Sequence, residues 1–248
     1  MRRHLSLRSG NPALNKNSFK NFTDTSISNQ MTIDGTVNKT MLSLIVLFIS
    51  AYYSWNSFSQ SFIVIGSIGG LITALITIFK KHLAMYTVPV YAIFKGLMLG
   101  SLSYIFESSY PGIVNQAIFL TFGIMGALLF AYKTKIINPT ENFKLGIFAA
   151  TGGIAIIYLI NFIMSFWGGG ISVMNPNNSS MFSIGFSFFV IIIASLNLVL
   201  DFDFIEEAAE ARVPKYMEWY AAFGLLITLI WLYIEILRLL AKLQNRRN

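Results

Sequence analysis

Asp201, Asp203, Glu206, Glu207 and Glu210 fall within ten positions, directly after an apolar run from Met181 to Leu200, and they are five of the chain's eleven acids. Carboxylates where a membrane-length segment ends are costly to desolvate, so such groups mark ion pathways, proton relays or charge pairs by default. Asp201 and Asp203 stand two apart, which on a regular helix turns them about 200° from each other. They cannot share one pocket, so one faces the packed interior and the other faces water. Glu218, near the start of the last apolar run, falls on the same side of the membrane as Asp201. Two carboxylates that meet across helices oppose each other's ionisation, and a proton or a cation relieves the repulsion. The alternative is a solvated acidic loop balanced by Arg212 and Lys215.

Two basic residues raise the same question. Lys95 lies about seven residues, roughly 10 Å, inside the third apolar run. Either it snorkels to the nearer surface, or its ammonium pairs with a carboxylate at the end of the sixth run, because a buried cation needs a partner. Glu235 lies deep in the seventh run, and Arg238 three positions on is within reach of an intrahelical ion pair.

These residues sit in a chain of 248 residues that is 55% hydrophobic and only 12% charged. A soluble domain of this length is far more polar, so the protein is integral to a membrane. Apolar stretches of about 17 to 25 residues cross a bilayer as helices. Seven are expected: Thr40 to Trp55, Phe62 to Phe79, Val88 to Phe106, Ile113 to Tyr132, Leu145 to Trp167, Met181 to Leu200 running on to Ile205, and Tyr216 to Leu240. The strand-type alternation of a membrane barrel is absent. Pro89, Pro111, Pro139, Pro176 and Pro214 are expected at or between the ends of these spans, where a missing N–H does least harm. Gly66, Gly69 and Gly70 in the second span, and the GxxxG spacing of Gly96 and Gly100 in the third, read as close helix packing. Residues 1 to 39 are polar with no apolar period, and are read as a flexible cytoplasmic tail before a transmembrane domain of residues 40 to 248.

Lys and Arg lie on one side. Six in the amino-terminal tail, two after the second span, three after the fourth and two after the sixth make thirteen, against none in the alternate connections. The positive-inside rule then puts the amino terminus in the cytoplasm. Arg238, Lys242, Arg246 and Arg247 oppose this at the carboxy terminus, which seven spans would place outside. There is no cysteine, and His4 and His82 are isolated. Neither thiol chemistry nor a histidine metal site is expected, and no cofactor. H-E-x-x-H, G-x-S-x-G and a phosphate-binding glycine loop are all missing, so the chain is not read as an enzyme. Nothing points to nucleic acid.

Several stretches carry a resemblance: Pro89-Val90-Tyr91-Ala92 leading to Gly96 and Gly100, Tyr110-Pro111-Gly112-Ile113, LDFDFIE at 200 to 206, KYMEWYAAFG at 215 to 224 and WLYIEILRLL at 231 to 240. Together with the seven spans they resemble the Bax inhibitor-1 family, most closely its bacterial YccA-like branch. The resemblance implies an all-α, seven-transmembrane-helix bundle in which six helices surround the seventh. It implies a multi-pass protein of the cell inner membrane that acts as a pH-sensitive leak for calcium or another cation. Asp201 best matches the helix-six aspartate that gates such leaks. For its helix-seven partner, an ungapped match puts Thr228 or Leu226 in place, and a gapped one Glu218 or Glu235. The implied surroundings are the lipid bilayer and the permeating cation. An alternative implied by bacterial relatives is an interaction protein that restrains a membrane protease or another quality-control partner.

Overall fold

The computed structural model describes residues 29–247; of the tail expected over residues 1 to 39, residues 1–28 lie outside them. Seven long helices follow one another: α1 (Ile33–Asn56), α2 (Gln60–Phe79), α3 (Ala84–Ser109), α4 (Ile113–Lys133), α5 (Glu141–Ser165), α6 (Met181–Glu210) and α7 (Met217–Arg247). Each is long and apolar enough to cross a membrane, so this is a multi-pass membrane protein. Among the described residues there is no strand, only an isolated bridge between Gln30 and Pro214.

Four expected boundaries move. α1 begins at Ile33 rather than Thr40, so residues 33–39 are helical and not tail. Its start is fixed by polar capping, which apolar periodicity cannot reveal: the Thr32 hydroxyl accepts from the Gly35 N–H at 2.9 Å. α3 begins at Ala84, directly after a 3-10 turn at Lys81–Leu83, which places Pro89 inside the helix rather than at its edge. α6 and α7 run on through charged residues to Glu210 and Arg247. A helix needs only its own backbone bonds to continue past the apolar zone, so hydropathy marks the span and not the helix.

The chain forms two compact units. Residues 29–108 and 203–227 make the first, which contains α1, α2 and α3. Its α1 buries Thr36, Thr40, Ser43, Leu47, Ser50 and Ser54 and exposes Met41, Ile45, Ile49 and Tyr52. Small polar residues point inward and large apolar ones outward. In lipid no hydrophobic force drives helices together, and close approach through small residues takes its place. Here a Cβ on Gly96 would strike the Leu47 carbonyl, and one on Gly100 the Ala51 carbonyl. Hydroxyls complete the contact: Ser50 donates to the Ile93 carbonyl and Ser54 to the Leu97 carbonyl, both at 2.7 Å.

Residues 109–202 and 228–247 make the second unit, with α4, α5, most of α6 and the later half of α7. Gly112, with φ of +85°, turns the chain into α4, a conformation that favours glycine. Ile147 and Ile154 of α5 pack with Val190, Ile193 and Leu200 of α6, bordered by Tyr158 and Trp231. In their most apolar windows α6 and α7 bury 56% and 61% of residues, against 11% for α5. The most enclosed helices are those that carry the acidic and basic residues.

Candidate functional site

Residues seven apart on a helix lie nearly above one another, about two turns and 10.5 Å along the axis. α7 uses that spacing for Thr228, Glu235 and Lys242, all at most 2% exposed. α5 uses it for Thr151 and Tyr158, and on α6 Asn197 and Asp201 are one turn apart. These side chains all belong to the second unit, where they form three levels of buried polar contacts.

At the first level, Asp201 is fully buried and its Oδ2 accepts from the Thr228 hydroxyl at 2.6 Å. One turn back, the Asn197 amide nitrogen donates to Thr151 Oγ1 and to the Ile193 carbonyl, both at 2.8 Å. A carbonyl only accepts, so the amide orientation is fixed. Asn197 Oδ1 is then buried with no hydrogen-bond partner, as is Trp231 Nε1. Both are groups that a water or an ion would satisfy.

At the second level, the buried Glu235 accepts at Oε1 from Arg238 at 2.6 Å and from the Tyr158 hydroxyl. Arg238 also donates to the Tyr158 oxygen at 3.2 Å and lies over its ring. The intrahelical pair expected between Glu235 and Arg238 is present, with Tyr158 as a third member. This carboxylate's charge is balanced where it stands. The third level holds the Lys242 ammonium, which donates to the carbonyls of Val173 and Ser183 and to Ser187 Oγ.

The other expected residues lie elsewhere. Asp203 belongs to the first unit and is half-buried. Glu218, also of the first unit, is buried at the start of α1, where Oε1 accepts from the Thr32 N–H at 3.2 Å and its hydroxyl at 3.1 Å. A helix amino terminus favours a carboxylate there. A Cβ on Gly35 would collide with that carboxylate, so a larger residue there must displace the Glu218 side chain. Lys95 meets no carboxylate among the described residues, so of its two alternatives the pairing with an acid is not seen. Its ammonium lies 4.0 Å from the Met98 sulfur and 5.8 Å from the Tyr91 ring centroid. The flexible stem reaches these soft partners within its own unit, and the face of an aromatic ring attracts a cation.

Thr228 was one of the positions matched to helix seven, but Tyr158, Asn197 and Lys242 carried no such signal. A neutral hydroxyl or amide in an apolar run is common in packed membrane helices. The spacing of Thr228, Glu235 and Lys242 was the available clue, since three polar residues at intervals of seven must share one face.

The family described as Bax inhibitor 1 like matches residues 11–245 of the 248. The chain belongs to that family. The match takes in every helix, including the amino-terminal α1, which the local motifs between 85 and 243 did not reach. No protein of curated function is significantly similar to this Bax inhibitor 1 like chain.

Proposed function

We infer that this protein is a slow, pH-dependent leak for cations, calcium among them, in which Asp201 is the titrating group. The observation that carries this is the fully buried Asp201 carboxylate held by the Thr228 hydroxyl between membrane-length helices. A carboxylate that has been desolvated is sensitive to protons and to cations, since either one offsets its buried charge. Loss of that charge changes the contact with α7 and shifts a closed-to-open equilibrium. Glu235 is the weaker candidate, because Arg238 and Tyr158 already balance it. Glu218 is tied to the start of α1, and Asp203 lies on the more exposed side of α6. The reading involves no covalent chemistry, cofactor or nucleic acid.

The one-sided distribution of Lys and Arg supports a cell inner membrane with the amino terminus in the cytoplasm. Two of the four carboxy-terminal cations that opposed it are engaged inside the helix bundle of the second unit, Arg238 with Glu235 and Lys242 with three oxygens. They are not loop charges and drop out of the count.

The test is calcium flux into dye-loaded proteoliposomes between about pH 6 and 8, a range in which perturbed carboxylates titrate. Wild-type flux should vary with pH, and Asp201→Asn should be insensitive to it. An unchanged pH profile in the variant removes Asp201 from the mechanism. No flux above empty liposomes at any pH favours the alternative, a protein that binds a membrane protease or similar partner and conducts nothing.

A further inference from the structure

Lys242 is fully buried, yet no carboxylate among the described residues meets its ammonium. It has three N–H donors and three acceptors: the Val173 carbonyl at 2.6 Å, Ser187 Oγ at 2.8 Å and the Ser183 carbonyl at 3.2 Å. The nearest turn of α7 brings both signs, since Arg238 repels the ammonium and its partner Glu235 attracts it from outside contact distance. The Val173 carbonyl is further held by Ser183, whose hydroxyl donates to it at 3.0 Å. A charge whose direct contacts are all neutral oxygens, two of them backbone carbonyls, is held as membrane proteins hold a dehydrated monovalent cation. A neutral side chain of this length would fill the same space without the cost of desolvating a charge.

We propose that the Val173, Ser183 and Ser187 oxygens form a monovalent-cation site of ammonium or potassium size, which the chain fills with its own Lys242. The tethered ammonium fixes the short 3-10 segment Ser172–Met174 against α6 and keeps mobile ions out of the third polar level. It has no competitor there because it cannot diffuse away. The exclusion of ions has a consequence for flux only if the leak reading above holds; occupancy of the site does not depend on it.

Lys242→Ala empties the site and leaves room for a small cation. Purified in detergent, this variant should unfold several degrees lower than wild type in N-methyl-D-glucamine chloride. Methylammonium or potassium chloride at the same ionic strength should recover part of that loss, while wild type should show no such difference. Adding Ser187→Ala should abolish the recovery. Equal midpoints for Lys242→Ala in all three salts overturn the site. Should Lys242→Ala not be recovered folded, Ser187→Ala alone decides: removing one of three acceptors should lower the midpoint by several degrees, and an unchanged midpoint counts against the proposal. In proteoliposomes, Lys242→Ala should raise potassium efflux above wild type and added methylammonium should suppress the rise. Unchanged efflux beside intact salt-specific stabilisation refutes the closing role and keeps the site. Calcium flux by wild type reports on the leak reading separately.

Discussion

The two units join their helices by different means. In the first, backbones touch: Gly66 lies against the Phe94 carbonyl, Gly96 against Leu47 and Gly100 against Ala51, with no room for a Cβ at any of them. In the second, Gly123, Gly126, Gly146, Gly152 and Gly153 have open space where a Cβ would go. There the helices meet through side chains such as Asp201 with Thr228, Tyr158 with Glu235, and Lys242 with Ser187. Backbone contact through glycine admits one register. A hydrogen bond between side chains can break and re-form with another partner, at about 0.6 kcal/mol on average within a membrane. The first unit therefore adds backbone contact to its hydroxyl bonds, while the second relies on its polar levels and apolar side chains.

The contrast can be broken most severely at Glu235. Glu235→Ala leaves the half-buried Arg238 guanidinium without its carboxylate and should cost about 3 kcal/mol. Denaturant unfolding in detergent measures this, and Glu235→Ala with Arg238→Met should recover most of the loss. A smaller effect is expected from Gly100→Val, which must displace the Ala51 carbonyl and should cost about 1–3 kcal/mol. The control, Gly153→Ala, faces open space and should change stability by less than about 1 kcal/mol, toward greater stability. Equal losses for the two glycines would erase the distinction between the units. Next comes Ser54→Ala, which removes a hydroxyl bonded both to the Leu97 carbonyl and to Ser101 and should cost about 1 kcal/mol. The smallest shift in stability belongs to Asp201→Asn, since an amide oxygen still accepts from Thr228. Its midpoint should move by less than about 1 kcal/mol while the pH dependence of flux disappears.

Much of this arrangement was legible in the sequence, for reasons that differ by residue. The seven spans follow from hydropathy because the bilayer imposes a length. Helix ends did not, because Thr32, Glu210 and Arg247 lie where lipid no longer selects residue type. Asp201 stood out because a charge in an apolar run is rare. Asn197 did not, because such residues pack membrane helices everywhere, and Thr228 was reached only through the family resemblance. Lys242 was counted only as a carboxy-terminal charge, because a one-dimensional reading counts charge and cannot see three oxygens converging on it. The sequence left Lys95 open between snorkelling and pairing with an acid because a long stem has several places to go; an aromatic face and a thioether lie near its ammonium.

The amino-terminal anchor has a mechanical meaning. Met31 donates to the Val213 carbonyl at 2.7 Å, Lys215 to the Asn29 carbonyl at 2.8 Å, and Thr32 holds Glu218 in the first turn of α7. The segment that precedes α1 is thus tied across the connection that leads out of α6 and into α7. Tension applied at residues 29–32 therefore acts directly on the connection between α6 and α7, and through Thr32 and Glu218 on the base of α7.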